Sequence, residues 1–200
     1  MTIERGRIWG EPLELPDGAP TAGSDAELAA LVHAAVAQGR PPIVGVGPGD
    51  VARTLGVDGM RPPGHRVGFP FDLGYVSLDG ADELPFVAHV VVRRTLWRGR
   101  FAAVMNAAWV GQWYLGPRAH PNDGRLDITE GRLSGRQRLL ARSRLASGSH
   151  LPHPDLGIVR ADAWTGRFDR PTPVVVDGVA VGRAVVVAVR VVPDRFTLIA

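Results

Sequence analysis

At residues 61–64, "RPPG", the spacing of apolar residues along the chain changes from helical to alternating. Before that break, "SDAELAALVHAAVAQG" (24–39) sets Leu28, Leu31, Val32 and Ala35 at helical intervals. Ser24 is placed to cap this helix with Glu27 as its partner three residues on, a capping box, and Gly39 ends it. "PPIVGVGPGD" (41–50) reads as a short buried strand running into a glycine turn. "DVARTLG" (50–56) reads as a short helix capped by Asp50 and ended by Gly56. After the break come strand-like runs: "FDLGYVSL", "FVAHVVVRR", "FAAVMNAAWV", "RLDITEG", "IVRADAW", "PVVVDG", "RAVVVAVRVV" and a last short one near "FTLIA". Asp123-Gly124 and Asp177-Gly178 stand between such runs as hairpin or sandwich turns do. Residues 1–22, rich in proline and glycine, read as irregular lead-in. The expectation is an α+β chain, with a small α/β piece over 1–64 and a larger antiparallel β domain over 65–200.

Composition narrows the function classes. No apolar run reaches the ~18–20 residues that span a bilayer. The N-terminus, "MTIERGRIWGEPLEL", has no apolar stretch of the signal-peptide kind, which argues against export. With no cysteine there is no disulfide, thiolate nucleophile or thiolate zinc site, so a cytoplasmic setting is expected. All 23 basic residues are arginine, which rules out a P-loop lysine and a Schiff-base lysine. A formal charge of +3, with no aromatic-interleaved basic patch, argues against a nucleic-acid partner. The lysine-free, alanine-rich usage reads as the mark of a GC-rich genome.

Several stretches carry more specific information. "VMNAAWVGQWYLGPRAHPNDGRLDI" (104–128), "GSHLPHPDLGIVRADAW" (148–164) and "PVVVDG" (173–178) occur in this order. Upstream lie "GSDAEL" (23–28) and "GPGDVARTLGV" (47–57). Together these resemble the bacterial lipid kinases related to diacylglycerol and sphingosine kinases. Their counterparts there are a P-x-A-x-P-x-D-G-x-L-D turn, a G-x-H-x-x-H-P segment, a D-G-E strand, a G-G-D-G-T loop and a G-T-G-N-D-x-A-R-x-L-G helix start. The resemblance implies an N-terminal α/β nucleotide domain and a C-terminal β-sandwich. It implies ATP and Mg²⁺ as cofactors of an active member, which phosphorylates a lipid hydroxyl. Carried over residue by residue, it makes Asp25 and Asp177 the catalytic acids. Gly23, Ser24, Gly47, Gly49, Asp50 and Arg53 become the nucleotide contacts, and Asp123 and Asp127 the magnesium ligands.

The departures point to decay of the nucleotide motifs. The family places another half of its α/β domain before the glycine loop, so residues 1–64 are expected to be a truncated remnant. Ala26 and Glu27 stand where the family has glycine and threonine. A carboxylate in a closed capping box takes the position a phosphate would use at a helix N-terminus. Pro48 removes one amide donor from the second loop, and Val179 replaces the glutamate of D-G-E. The leading reading is therefore a pseudokinase that binds a lipid or a partner through its β domain. The alternatives are an active lipid kinase whose cleft another subunit completes, and a β-rich interaction module without a lipid role.

Each of these residues also has a plainer reading. Asp123-Gly124 and Asp177-Gly178 are ordinary turn chemistry, and Asp25 favours a helix start whatever the function. His150 and His153 form a weak zinc signal, lacking a third ligand, and are expected to bond backbone. In "GRLSGRQRLLARSRLASG" (131–148), Arg136, Arg138 and Arg142 crowd around Leu139, Leu140 and Leu145. That segment is either a basic face for an anionic membrane or a solvated connecting helix. Homo- or hetero-oligomerisation is left open.

Overall fold

The computed structural model describes residues 9–57, 61–149 and 153–200. The N-terminal piece comprises β1 (Glu11–Pro12), α1 (Asp25–Ala37), β2 (Ile43–Gly45) and α2 (Asp50–Thr54). The β domain follows with β3 (Val67–Leu78), β4 (Leu84–Phe86), β5 (His89–Val92), β6 (Arg100–Met105), β7 (Trp109–Val110), β8 (Trp113–Tyr114) and β9 (Leu126–Arg132). Then come α3 (Gly135–Arg144), β10 (Leu156–Ala161), β11 (Ala163–Val176) and β12 (Val179–Ile199). The expected α+β arrangement, mostly antiparallel sheet behind a small α/β portion, is what the chain forms.

Ten strands make one sheet in the order β1-β3-β12-β11-β5-β6-β9-β10, with β4 added to β3 and β2 to β12. The β2–β12 ladder is parallel, whereas the other ladders are antiparallel. The sheet folds over on itself, as its side chains record. Val76 of β3, Phe86 of β4, Val90 of β5, Val104 of β6, Ile128 of β9 and Val187 of β12 share one buried cluster. Strands distant in the sheet order therefore face each other across a sandwich interior.

A second cluster joins Leu28 and Val32 of α1, Val44 of β2 and Val51 of α2 to Phe71 and Leu73 of β3 and Phe196 and Leu198 of β12. Burying each such side chain stabilises by about 1.5–3 kcal/mol. Strand β12 reaches both cores because it is 21 residues long and shifts register between Val192 and Phe196. Asp194, within that shift, takes a left-handed backbone (φ 53°).

Local details depart from expectation for physical reasons. Ser24 caps α1 by accepting from the Glu27 amide at 3.2 Å, but the Glu27 carboxylate reaches one residue further back, to the Gly23 amide at 2.6 Å. Helix α2 is not capped by Asp50: its N-cap is Gly49, and the capping carboxylate is that of Asp25. "FVAHVVVRR" is interrupted at Val87–Ala88, where three successive amides turn towards Asp177. Asp177-Gly178 is the two-residue hairpin between β11 and β12, both residues having positive φ (44° and 81°). Asp123-Gly124 is not a hairpin turn: β8 pairs with β7, and β9 with β6 and β10. The lead-in contributes β1, paired with Gly68 and Val67.

Candidate functional site

Asp25, Asp50, Asp177, Gly47 and Gly49 converge where the α/β piece meets the sheet. Asp25, the first residue of α1, accepts from the amides of Asp50 (2.6 Å) and Val51 (3.3 Å) and so caps α2 from a distance in sequence. Gly49 is required there, since a Cβ would collide with that carboxylate; one at Gly47 would collide with the Ala22 carbonyl. Asp50 points onward, with Oδ2 2.9 Å from His89 Nε2 and Oδ1 accepting from the Gly111 amide at 2.7 Å. Asp177 accepts from the amides of Val87, Ala88 and His89 at 2.8–2.9 Å. Arg53 donates to the Gly111 carbonyl (2.8 Å) and lies over the Trp109 ring at 3.9 Å, fastening α2 to the β7–β8 hairpin.

The electrostatics follow from burial. Desolvation, reinforced by the Asp177 charge, pushes Asp25 up to about 6 despite the two amides that favour its ionised form. Asp177 is raised by burial against the opposing effects of His89 and three amides. Burial alone would lower His89, but its hydrogen bond to Asp50 and the charges of Asp177, Asp50 and Asp25 outweigh that and raise it. His89 is 1% exposed and its Nδ1 has no hydrogen-bond partner. The sequence reading missed His89; its signal was one histidine inside an apolar strand run.

The turn at 117–128 forms a second cluster. Asp123 and Asp127 are brought together, with the Arg160 guanidinium between them, bonded to Asp123 Oδ2 and 3.3 Å from Asp127 Oδ1. Asp127 is buried, and its Oδ2 is unpartnered. Behind them Asp72, a fully buried acid also missed from sequence, accepts from the amides of Gly124 (2.7 Å) and Asp194 (3.0 Å). Burial lifts Asp72 to about 6 against those hydrogen bonds. No group of three or more metal-ligating side chains forms among the described residues. The Asp123–Asp127 pair does not fit a divalent cation as arranged, because Arg160 already supplies its positive charge. His153 Nδ1 accepts from the Asp155 amide at 3.1 Å, and His150 lies outside the described residues.

Arg136, Arg138 and Arg142 lie on α3, whose start carries a capping box of Ser134 and Gln137 that the S-x-x-Q spacing could have revealed. Beneath α3, against β6 and β9, is a cavity of about 270 Å³ walled by Trp97, Phe101, Ala103, Leu115, Leu133 and Leu145, among others. Arg138 and Arg142 line it, whereas Arg136 does not. One rim is held by Leu96 and Trp97, consecutive non-glycine residues in left-handed conformation (φ 55° and 56°). Such backbone costs on the order of 1–3 kcal/mol per residue. No helix among the described residues is long and apolar enough to cross a membrane.

This architecture has relatives among solved structures. A diacylglycerol kinase from Bacillus anthracis str. Sterne superposes with a TM-score of 0.60 at 16% identity, covering 90% of this chain and 74% of that one. A second structure from the same strain, given the diacylglycerol kinase name provisionally, gives 0.64 at 14% identity, covering 90% and 76%. At such identities the likeness speaks for the fold. No curated protein matches the sequence. The profile of the YegS C-terminal NAD kinase beta sandwich-like domain matches residues 73–200, and the chain belongs to that YegS/diacylglycerol kinase family.

Proposed function

We propose that this family member binds a lipid through its β domain at an anionic membrane surface, and that it does not bind ATP by itself, which makes it a pseudokinase. The observation that carries the lipid reading is the apolar cavity beneath α3, whose mouth is flanked by arginine. Beside it Leu139 (73% exposed), Leu96 (56%) and Leu140 (48%) present apolar side chains to the outside, next to Arg136, Arg138 and Arg142. Leucines among arginines suit the boundary between acyl chains and anionic headgroups, where each cation near the surface contributes about 1 kcal/mol. On this reading the protein sits at the cytoplasmic face of a membrane without spanning it.

The nucleotide half of the reading rests on donors already engaged. The Gly23 amide is bonded to Glu27, and the Asp50 and Val51 amides to Asp25. Arg53 is held by Gly111 and Trp109. A phosphate would have to displace carboxylates to reach these groups. A second reading, a kinase whose cleft another chain completes, draws on the convergence of Asp25 and Asp177, whose charges act on one another.

Vesicle co-sedimentation tests the membrane reading. Binding to phosphatidylglycerol vesicles, absent with phosphatidylcholine, is expected to weaken steeply with salt and with Arg138→Glu plus Arg142→Glu. Binding indifferent to both would leave α3 a solvated face.

A further inference from the structure

The cavity beneath α3 also carries information about the head and number of chains of what fills it. We infer that it selects a single-chain amphiphile with an anionic head, a monoalkyl phosphate or a fatty carboxylate. This inference rests on the lipid-binding reading above.

Size argues for one chain. A dry protein cavity of about 150 Å³ accepts benzene, so one of about 270 Å³ takes roughly ten carbon atoms. Its walls are aromatic and aliphatic, and Thr129 is the one uncharged polar side chain among its lining residues. A second chain would have to remain outside.

Charge argues for the head. Arg98, Arg138 and Arg142 line the cavity, and no aspartate or glutamate does. Four arginines of the sheet have acid partners: Arg100 with Glu130, Arg132 with Asp169, Arg160 with Asp123, and Arg190 with Glu83. No arginine lining the cavity has an acid partner among the described residues. The Arg98 and Arg142 side chains have no ion-pair or hydrogen-bond partner among the described residues, and Arg138 donates only to the Leu133 carbonyl, at 2.9 Å. The nearby Asp155 is bonded to the neutral amide of Gln137 rather than to an arginine. Three guanidiniums beside an apolar chamber repel a cationic head and leave a neutral one without a counter-charge. An oxyanion can accept from them in pairs.

The test is titration of the full chain, by calorimetry and tryptophan fluorescence, with four decyl compounds below their micelle concentrations. The probes are decyl phosphate, decanoate, decanol and decyltrimethylammonium, and Trp97 and Trp113 in the cavity lining supply the optical signal. The expected result is that the phosphate or the carboxylate binds at least tenfold more tightly than decanol, with the ammonium weakest. A phosphate preference over decanoate identifies a phospholipid source, and parity identifies a fatty acid. Arg98→Gln with Arg142→Gln should bring decyl phosphate down to the affinity of decanol and leave decanol unchanged. Arg144→Gln, on the same helix but outside the lining, should alter neither. If decanol matched decyl phosphate in the wild type, the headgroup inference would fail while the lipid reading stood. If no decyl compound bound, both would fail.

Discussion

His89 Nε2 lies 2.9 Å from Asp50 Oδ2 in the interior, and the amide of the same histidine donates to Asp177 at 2.8 Å. One residue thus ties the helix α2 of the N-terminal piece to the β11–β12 hairpin. A neutral replacement leaves Asp25, Asp50 and Asp177 facing one another without a counter-charge. His89→Gln should therefore destabilise the chain by about 3 kcal/mol or more, read from urea unfolding. The pH dependence has a definite sign. The folded pKa is raised, so the stabilisation is complete below the unfolded value of about 6.5 and is lost as pH rises through the folded value. Wild-type stability should fall in that upper window, and the variant should lack that component.

Asp25 and Asp72 act in a lower window. Both rise to about 6 when folded, against about 3.9 in an unfolded chain, so ionising them opposes the fold. Each costs stability progressively between about pH 4 and 6, by roughly 2–3 kcal/mol once fully ionised. For Asp25→Asn and Asp72→Asn, the difference from wild type in unfolding free energy should shift by that amount between pH 4 and 7, in the variant's favour. A difference constant across the range would mean that neither acid is strained by its burial.

Arg160 occupies the place between Asp123 and Asp127 where the family resemblance implies a metal. The wild type should then melt at the same temperature with magnesium, calcium or a chelator. Arg160→Gln leaves the buried Asp127 without its cation and should cost about 1–3 kcal/mol, less than a fully buried pair because the arginine is 44% exposed. Millimolar calcium or magnesium should recover part of that loss in the variant alone. A metal-dependent melting temperature in the wild type would show that Arg160 yields to a cation.

What could be read from the sequence divides along physical lines. Helix α1 and the strand through Val185–Val192 were legible because period and caps are local properties. The paired identity of Asp25 and Asp177 came from their motifs, whereas their partners did not. Nothing near Asp25 in sequence indicates that its carboxylate caps a helix 25 residues on, and no periodicity marks His89 as the buried group facing these acids or Asp72 as the buried acid behind Asp123. The sequence left Asp123-Gly124 open between a hairpin and a sandwich turn, because D-G chemistry is the same whether or not the flanking strands pair. Arg160 lies 37 residues from Asp123 and reaches it only through the β9–β10 ladder. Long-range partners of this kind are set by sheet register, which one sequence does not display.

The purified chain should show no low-micromolar binding of Mg·ATP by calorimetry. The Gly23 amide, which would face a phosphate at the start of α1, is held at 2.6 Å by Glu27 Oε2. The amides at the start of α2 are held by Asp25, and Pro48 offers no amide at all. Breaking one such bond, or bringing an anion up to a carboxylate, costs on the order of 1–3 kcal/mol. Two or three of these together carry a micromolar site to millimolar or weaker. Glu27→Thr with Ala26→Gly frees the Gly23 amide and removes one negative charge, leaving Asp25 in place. Recovery of measurable binding in that variant would assign the defect to the α1 loop, and continued silence would assign it to the capped α2. A low-micromolar dissociation constant in the wild type, abolished by Asp25→Ala, would instead restore the kinase reading.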